Sequence, residues 1–408
     1  MKYFPLLLLF HLSVTPLDAQ MNTAQELFDH YESYKLASVT SRRFNQAQML
    51  EWLQPLLNRG RCVSSPAGKS AEGRTISLIT FGSGPTRVLL WSQMHGDEPT
   101  ATMALLDIIN FLVLHPTHPV AEEIRQDLTL LMVPMLNPDG AQRFQRRTAQ
   151  QIDLNRDALR FETVEAQILK SVREQHQPDF GFNLHDQDPR YTVGQTKKVT
   201  ALALLAPSFD ESRFDNHIRR RGKFVAAGLV ETMNRFVPGH LARYDDTFEP
   251  RAFGDNIQKW GTSTVLIESG GWMGDREKMF LRKLNFVGIL TSLHSIAGGE
   301  YEKADLNSYE LLPLNGKNLY DMIFRNVRFQ PSADVAPVRV DVGVNLTEQA
   351  DSITGQIVLM GKVEDMGDLS TFGAFEEYDC GDLLVDSTVI DMEKTLRREE
   401  FLAALTRR

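Results

Sequence analysis

Cysteine is nearly absent from this chain, with two residues, Cys62 and Cys380, in 408. That excludes a disulfide-dense scaffold. Two cysteines so far apart, with no CxxC, do not make a structural zinc site either. The sequence leaves open a Cys62–Cys380 bridge, which would staple the C-terminal region to the start of the main domain, or two unconnected thiols. Basic charge is in deficit: 44 Lys and Arg against 53 Asp and Glu give a net charge of -9. This argues against a general nucleic-acid binder, which normally needs a basic surface, while leaving room for a local basic pocket. Long apolar runs are missing too. Beyond the N-terminus no segment approaches the roughly 20 residues that a bilayer span needs. There is no low-complexity tract and no convincing internal repeat.

What is present begins with an apolar leader. Lys2 is followed by Phe4-Pro5 and a leucine run over residues 6–9 that continues to Val14, and Ala19 offers a small residue before Gln20. The pattern predicts a signal peptide over residues 1–19 and export to the periplasm or medium. An anchor helix is the alternative, but the run is short for one. The remaining length suggests two or three domains, at about 150 residues each.

Residues 20–58 carry helical periodicity. From there strand-like and helix-like segments alternate: strands are expected at 75–79, 87–91, 128–133, 180–184, 199–205 and 264–267, with helices at 158–174, 210–236 and 276–296. This predicts an α/β domain over residues 20–300, a mixed central sheet flanked by helices. After Ala297-Gly298-Gly299 the character shifts. Alternation at 338–342, an apolar run at 357–360 and a charged helix at 393–405 predict a smaller β-rich accessory domain over 301–408.

Ligands of open α/β sheets gather at the C-terminal ends of strands, and four polar residues stand there: His95, Asn137, His185 and Glu268. His95-Gly96-Asp97-Glu98 follows an apolar strand. An imidazole and a carboxylate three residues apart can grip one zinc ion, and catalytic zinc sites add a third protein ligand. His185 ends another apolar run and supplies the candidate; His176 sits in a polar stretch more like a helix end. A carboxylate after Val265-Leu266-Ile267, as at Glu268, is costly to bury unpaired. It is either a salt-bridged strand-end acid or a general base beside a metal. Asn155 and Arg156, in Asp153-Leu154-Asn155-Arg156, offer an amide and a forked cation suited to a substrate carboxylate. Arg143, Arg146 and Arg147 form either a solvated face or, at one position, an oxyanion donor. Asn137-Pro138-Asp139-Gly140 alone signals a turn.

In this order, His95-x-x-Glu98, Asn137-Pro-Asp-Gly140, Asp153-Leu-Asn-Arg156, His185 and Glu268, the motifs resemble the zinc metallocarboxypeptidases of the carboxypeptidase A type. Glu72-Gly73-Arg74 and Met94-His95-Gly96-Asp97-Glu98-Pro99 look like the bacterial members, and the likeness runs over roughly residues 65–295. The resemblance implies one Zn2+ held by His95, Glu98 and His185, with Glu268 as general base. It also implies Asn155 and Arg156 on the C-terminal carboxylate of a peptide substrate. Arg146 best matches the family's oxyanion arginine, with Arg147 one residue away. Tyr244 lies nearest the family's substrate-covering tyrosine, and the side-chain pocket position falls near Gly254, naming no preference for basic or aromatic residues. Asp97 and Asp186 have no assigned chemistry. Two other readings share parts of the pattern: an aspartoacylase- or succinylglutamate-desuccinylase-like amidohydrolase, and a non-catalytic binding protein on the same fold.

Overall fold

The computed structural model describes residues 16–351 and 356–406. The apolar leader, up to residue 15, lies outside the described residues. Nine strands build the first part: Cys62–Lys69 (β1), Thr75–Phe81 (β2), Thr86–Ser92 (β3), Leu128–Val133 (β4), Phe180–Asp186 (β5), Thr192–Val193 (β6), Leu202–Leu205 (β7), Leu241–Arg243 (β8) and Ser263–Ser269 (β9). All but β6 form one mixed sheet in the order β1-β2-β4-β3-β5-β9-β7-β8. The central strands β4, β3, β5 and β9 run parallel.

Central parallel strands are buried on both faces, so they read as continuous apolar runs. In β3, Val88 and Leu90 join one core while Leu89 and Trp91 join the other. The first core takes the helices Thr100–Leu114, His217–Met233 and Met279–Ala297. The second takes Val164–His176 and Phe253–Lys259. Helices on both faces leave the strand ends as the place where polar side chains can meet a ligand.

Strands Asn315–Gly316 (β10), Leu319–Phe329 (β11), Val338–Ala350 (β12), Ile357–Gly367 (β13), Gly373–Asp379 (β14), Leu384–Val385 (β15) and Thr395–Arg397 (β16) follow. Apart from β10 they form a separate sheet, β14-β11-β12-β13-β16, with β15 against β11. Its own core includes Phe324, Val342, Val344, Val363 and Phe401. The two sheets are tied at the rim of the first. β10 pairs with β6, and Arg190 Nη1 lies 3.1 Å from Asp321 Oδ2.

Several expected elements differ in extent. The helix expected from 158 starts at Val164, because Asp157 accepts the backbone N–H groups of Glu162 and Thr163 and holds a turn there. The helix expected over 210–236 is His217–Met233, capped by Asn216. The segment expected to be helical from 393 is first a strand, β16, paired with Met360–Lys362, and the helix is Arg398–Leu405. The strand expected from 199 begins at Leu202. Neither cysteine is bridged: both are free, with Cys62 buried in the main core. No single helix among the described residues is long and apolar enough to cross a membrane.

Candidate metal centre and cleft

His95, Glu98 and His185 converge from separate elements. His95 and Glu98 lie in the turn between β3 and the helix Thr100–Leu114, and His185 lies near the end of β5. One potential ligand atom from each lies within 4.8 Å of the others, and all three residues are buried. Glu98 sits between the imidazoles, with Oε1 at 2.8 Å from His95 Nδ1 and Oε2 at 2.7 Å from His185 Nδ1. Two nitrogens and a carboxylate in this arrangement can hold a divalent metal.

The outer shell is asymmetric. His95 Nε2 lies 3.0 Å from Asp153 Oδ1. That pairing puts the proton on Nε2 and turns Nδ1 toward the centre, the carboxylate–histidine arrangement common behind metal ligands. Asp153 also accepts from Arg146 Nη2 at 3.1 Å, and Arg146 Nη1 reaches Glu98 Oε1 at 2.8 Å and His95 Nδ1 at 3.1 Å. Arg146 therefore rests on acceptors that a metal would take. Asp153 is the residue that reading the sequence missed. It stands at the head of the Asp-Leu-Asn-Arg motif, but no local pattern reveals that it backs His95, 58 positions away.

Glu268 is the register partner of His185 on the neighbouring parallel strand β9. It is 8% exposed, and its Oε2 has no hydrogen-bond partner among the described residues. Burial pushes its carboxyl well above the usual range, and the nearby Glu98 charge pushes it further. In Glu98 burial acts in the same direction, but His95 and His185 outweigh it and hold the carboxyl well below that range. His95 is opposed by burial and lifted to about 9 by Glu98 and Asp153. His185 is held down by burial, and its Nε2 has no hydrogen-bond partner among the described residues.

The remaining expected residues line the same cleft. Arg146, Asn155, Arg156, Tyr244 and Glu268 border it together with the three metal candidates. Asn155 Oδ1 accepts from Phe253 N at 2.8 Å, which anchors the motif against the helix Phe253–Lys259. Arg156 keeps its fork in the cleft, 3.7 Å from Glu249. Burial and Glu268 push the Tyr244 phenol up to about 12, so it stays protonated. Arg147 is not among the cleft residues; its Nη1 donates to Gln151 O.

Asn137-Pro138-Asp139-Gly140, expected as a turn, opens the short helix Pro138–Arg143 with Asn137 as its cap. Asn137 Nδ2 donates to Met94 O, and its contact with Arg146 O is 3.4 Å, so it spans the two loops that carry His95 and Arg146. Asp139 accepts from Ser70 Oγ, Glu72 N and Arg74 Nη1, joining the Glu72-Gly73-Arg74 segment to the site's back wall. Asp186 accepts from Thr100 Oγ1 at 2.6 Å and lies 3.4 Å from Lys278 Nζ.

Residues 49–186 match the family described as zinc carboxypeptidase. This stretch carries a zinc carboxypeptidase domain. The chain is similar to the probable carboxypeptidase 2 of Arthroderma benhamiae, 27% identical over 182 residues, covering 40% of this chain and 34% of that protein. It is also similar to carboxypeptidase SOL1 of Arabidopsis thaliana, 32% identical over 97 residues, covering 22% of this chain and 20% of that one. The chain thus spans about a third or less of the length of these curated relatives. Among solved structures it shares its fold with bovine thrombin-activatable fibrinolysis inhibitor in complex with tick carboxypeptidase inhibitor. The TM-score is 0.50 at 12% identity, covering 63% of this chain and 98% of that one. The zinc carboxypeptidase fold expected from the sequence, a mixed sheet flanked by helices, is the fold observed, and the β-rich C-terminal sheet is present.

Proposed function

We propose that this chain is a zinc-dependent carboxypeptidase that releases the C-terminal residue of a peptide. One observation carries the reading: three candidate metal-ligand side chains converge beside the buried carboxylate of Glu268 on the adjoining strand, whose Oε2 has no hydrogen-bond partner among the described residues. The donor set of two histidines and a glutamate fits zinc, and Asp153 behind His95 fits a ligand imidazole. His95, Glu98 and His185 would hold the ion. When bound, zinc supplies a Lewis acid for the scissile carbonyl and a water of lowered pKa.

The chain's own residues do the rest. Arg156, with the Asn155 amide, binds the free carboxylate of the substrate and fixes its register. Glu268 takes the proton of the attacking water and delivers it to the departing amine; its elevated pKa lets it hold that proton between the two transfers. Arg146 donates to the oxyanion that develops on the carbonyl. Tyr244, protonated, donates to the bound carboxylate or the leaving amine. The cleft excludes bulk water around Glu268, which strengthens each of these contacts.

The test is hydrolysis of a peptide with a free C-terminus. Release of the last residue is expected, with loss on C-terminal amidation or chelation and recovery on adding zinc. Preferential turnover of N-acetylaspartate or N-succinylglutamate would replace this reading with an amidohydrolase. Peptide binding without turnover, in the zinc-loaded chain, would replace it with a binding protein. The leader-like residues 1–19 support a second proposal, that the chain is exported and cleaved before Gln20. N-terminal sequencing of the chain recovered from periplasm or medium checks it, and an intact Met1 there would overturn it.

A further inference from the structure

Strands β5 and β9 leave the cleft through loops that the C-terminal part of the chain touches. Beyond His185, β5 runs into Gln187, Asp188 and Tyr191, and all three border the cleft. Beyond Glu268, β9 ends at Ser269 and runs into Gly270-Gly271. Gln187 N donates to Ser269 O at 3.0 Å, so the two loops stay side by side past the strand ends. A Cβ on Gly271 would lie 2.3 Å from Pro189 O and 3.1 Å from Phe375 Cζ. Its absence lets the 187–191 loop and β14 of the C-terminal sheet close on the same point.

Two cleft-lining side chains of that loop are held from the C-terminal part. Gln187 is 8% exposed, and its Oε1 accepts from Asn315 Nδ2 at 2.7 Å. Asp188 accepts from Arg190 Nε at 2.9 Å and from Nη2 at 2.8 Å, a two-pronged pair. The remaining nitrogen of Arg190, Nη1, donates to Asp321 Oδ2 at 3.1 Å. Asp321 lies on β11, and the same oxygen accepts from Leu346 N on β12 at 2.7 Å. A guanidinium is planar and rigid, so seating one corner on Asp321 sets the direction of the edge that meets Asp188.

Docking the second sheet needs none of this polar detail. The β6–β10 pairing and the Phe375 contact already hold it. The ion pairs are partly exposed, and such pairs add little to stability. What they add is direction, given to side chains that begin two residues after a candidate metal ligand.

Resting on the carboxypeptidase reading above, we propose that the C-terminal region builds one wall of the cleft, with Asp321 (through Arg190) and Asn315 as positioning residues that hold Asp188 and Gln187 against the bound peptide. The accessory sheet is then a working part of the binding site and not a separable appendage. Loss of the clamp loosens this wall and leaves His95, Glu98, His185 and Glu268, carried by the first sheet and its turns, in place. A contact made equally with substrate and transition state acts on KM and not on kcat.

The experiment compares the full zinc-loaded chain with Asp321→Asn, which keeps an acceptor for Leu346 N and removes the charge from Arg190. In hydrogen–deuterium exchange the amides of residues 187–193 should exchange at least about 3-fold faster in the variant, with those of 180–184 unchanged. With blocked tripeptides that end in a free carboxylate, KM should rise about 3-fold to 10-fold, with kcat within about 2-fold of the parent's and zinc content and melting temperature close to it. Arg190→Met should raise KM as well. Adding Asp321→Asn to that variant should raise KM no further, because Asp321 acts through Arg190. Should Asp321→Asn fail to fold, Asn315→Ala, which frees Gln187, carries the same two readouts. Unchanged exchange at 187–193, an unchanged KM or additive effects in the double variant would each overturn the positioning role and leave the carboxypeptidase reading intact. Faster exchange at 187–193 in a chain whose parent releases no C-terminal residue upholds the clamp and overturns that reading instead.

Discussion

Two buried acidic sites, one behind the sheet and one at its strand ends, are treated in opposite ways. Asp107, fully buried on the helix Thr100–Leu114, is saturated. Tyr31 Oη donates to Oδ2 at 2.7 Å, Leu36 N to Oδ1 at 2.7 Å, and Arg282 binds through Nε at 2.7 Å and Nη2 at 2.5 Å. Arg282 spends its remaining donors on Val39 O and Leu36 O. This network fastens the N-terminal segment around residues 31–39 to the helix Met279–Ala297. At the strand ends, Glu268 Oε2 and Asn183 Oδ1 have no hydrogen-bond partner among the described residues, and Asp255 forms no ion pair there. A buried polar group left unpaired costs free energy. The difference separates a charge used to hold the chain together from the cleft, where Glu268 is proposed above to act as base.

The largest expected effect comes from disturbing the unpaired side. Glu268→Gln keeps shape and removes the proposed base, so kcat should fall by about 100-fold to 10,000-fold with zinc content and melting temperature near those of the parent chain. A variant with full activity would remove Glu268 from the role. On the saturated side, Arg282→Met should leave Asp107 buried without its cation and cost about 3–5 kcal/mol in urea unfolding. Its kcat, measured where it remains folded, should change little. A loss below about 1 kcal/mol would show that the network is dispensable and would blur the contrast.

The smallest effect tests Asp255 through pH. Its folded pKa, about 7, exceeds the ordinary carboxyl value, so the folded state binds more protons than the unfolded state between those two values. Stability contributed by this group is therefore present at low pH and is lost as pH rises toward 7. Asp255→Asn cannot ionise, so its melting temperature relative to the parent should rise between pH 5 and pH 8, by an amount worth up to a few kcal/mol. A difference that is flat with pH would mean that Asp255 is not held at a cost.

The sheet and its apolar strands were legible because burial on both faces writes itself as runs such as Val88-Leu89-Leu90-Trp91. Helix starts were less so. Asp157 and Asn216 spend their side chains on nearby backbone N–H groups, and those local competitions moved the boundaries at 158 and 210 inward. The candidate ligands were legible because strand ends concentrate polar residues after apolar ones. Asp153 and Asn137 were not assigned roles, because each acts through a partner on another element.

The amino-acid sequence by itself determined the alternation that makes an α/β sheet, the polar residues at its strand ends and the apolar patterning of the C-terminal strands. These depend on periodicity and on short-range chemistry. Only the tertiary structure decided that both cysteines stay free, that Arg146 rather than Arg147 turns into the cleft, and that Glu268 Oε2 and Asn183 Oδ1 find no partner among the described residues while Asp107 is saturated. Whether a buried charge has a partner depends on what other strands and helices bring within about 3 Å, and no spacing along the chain records that distance.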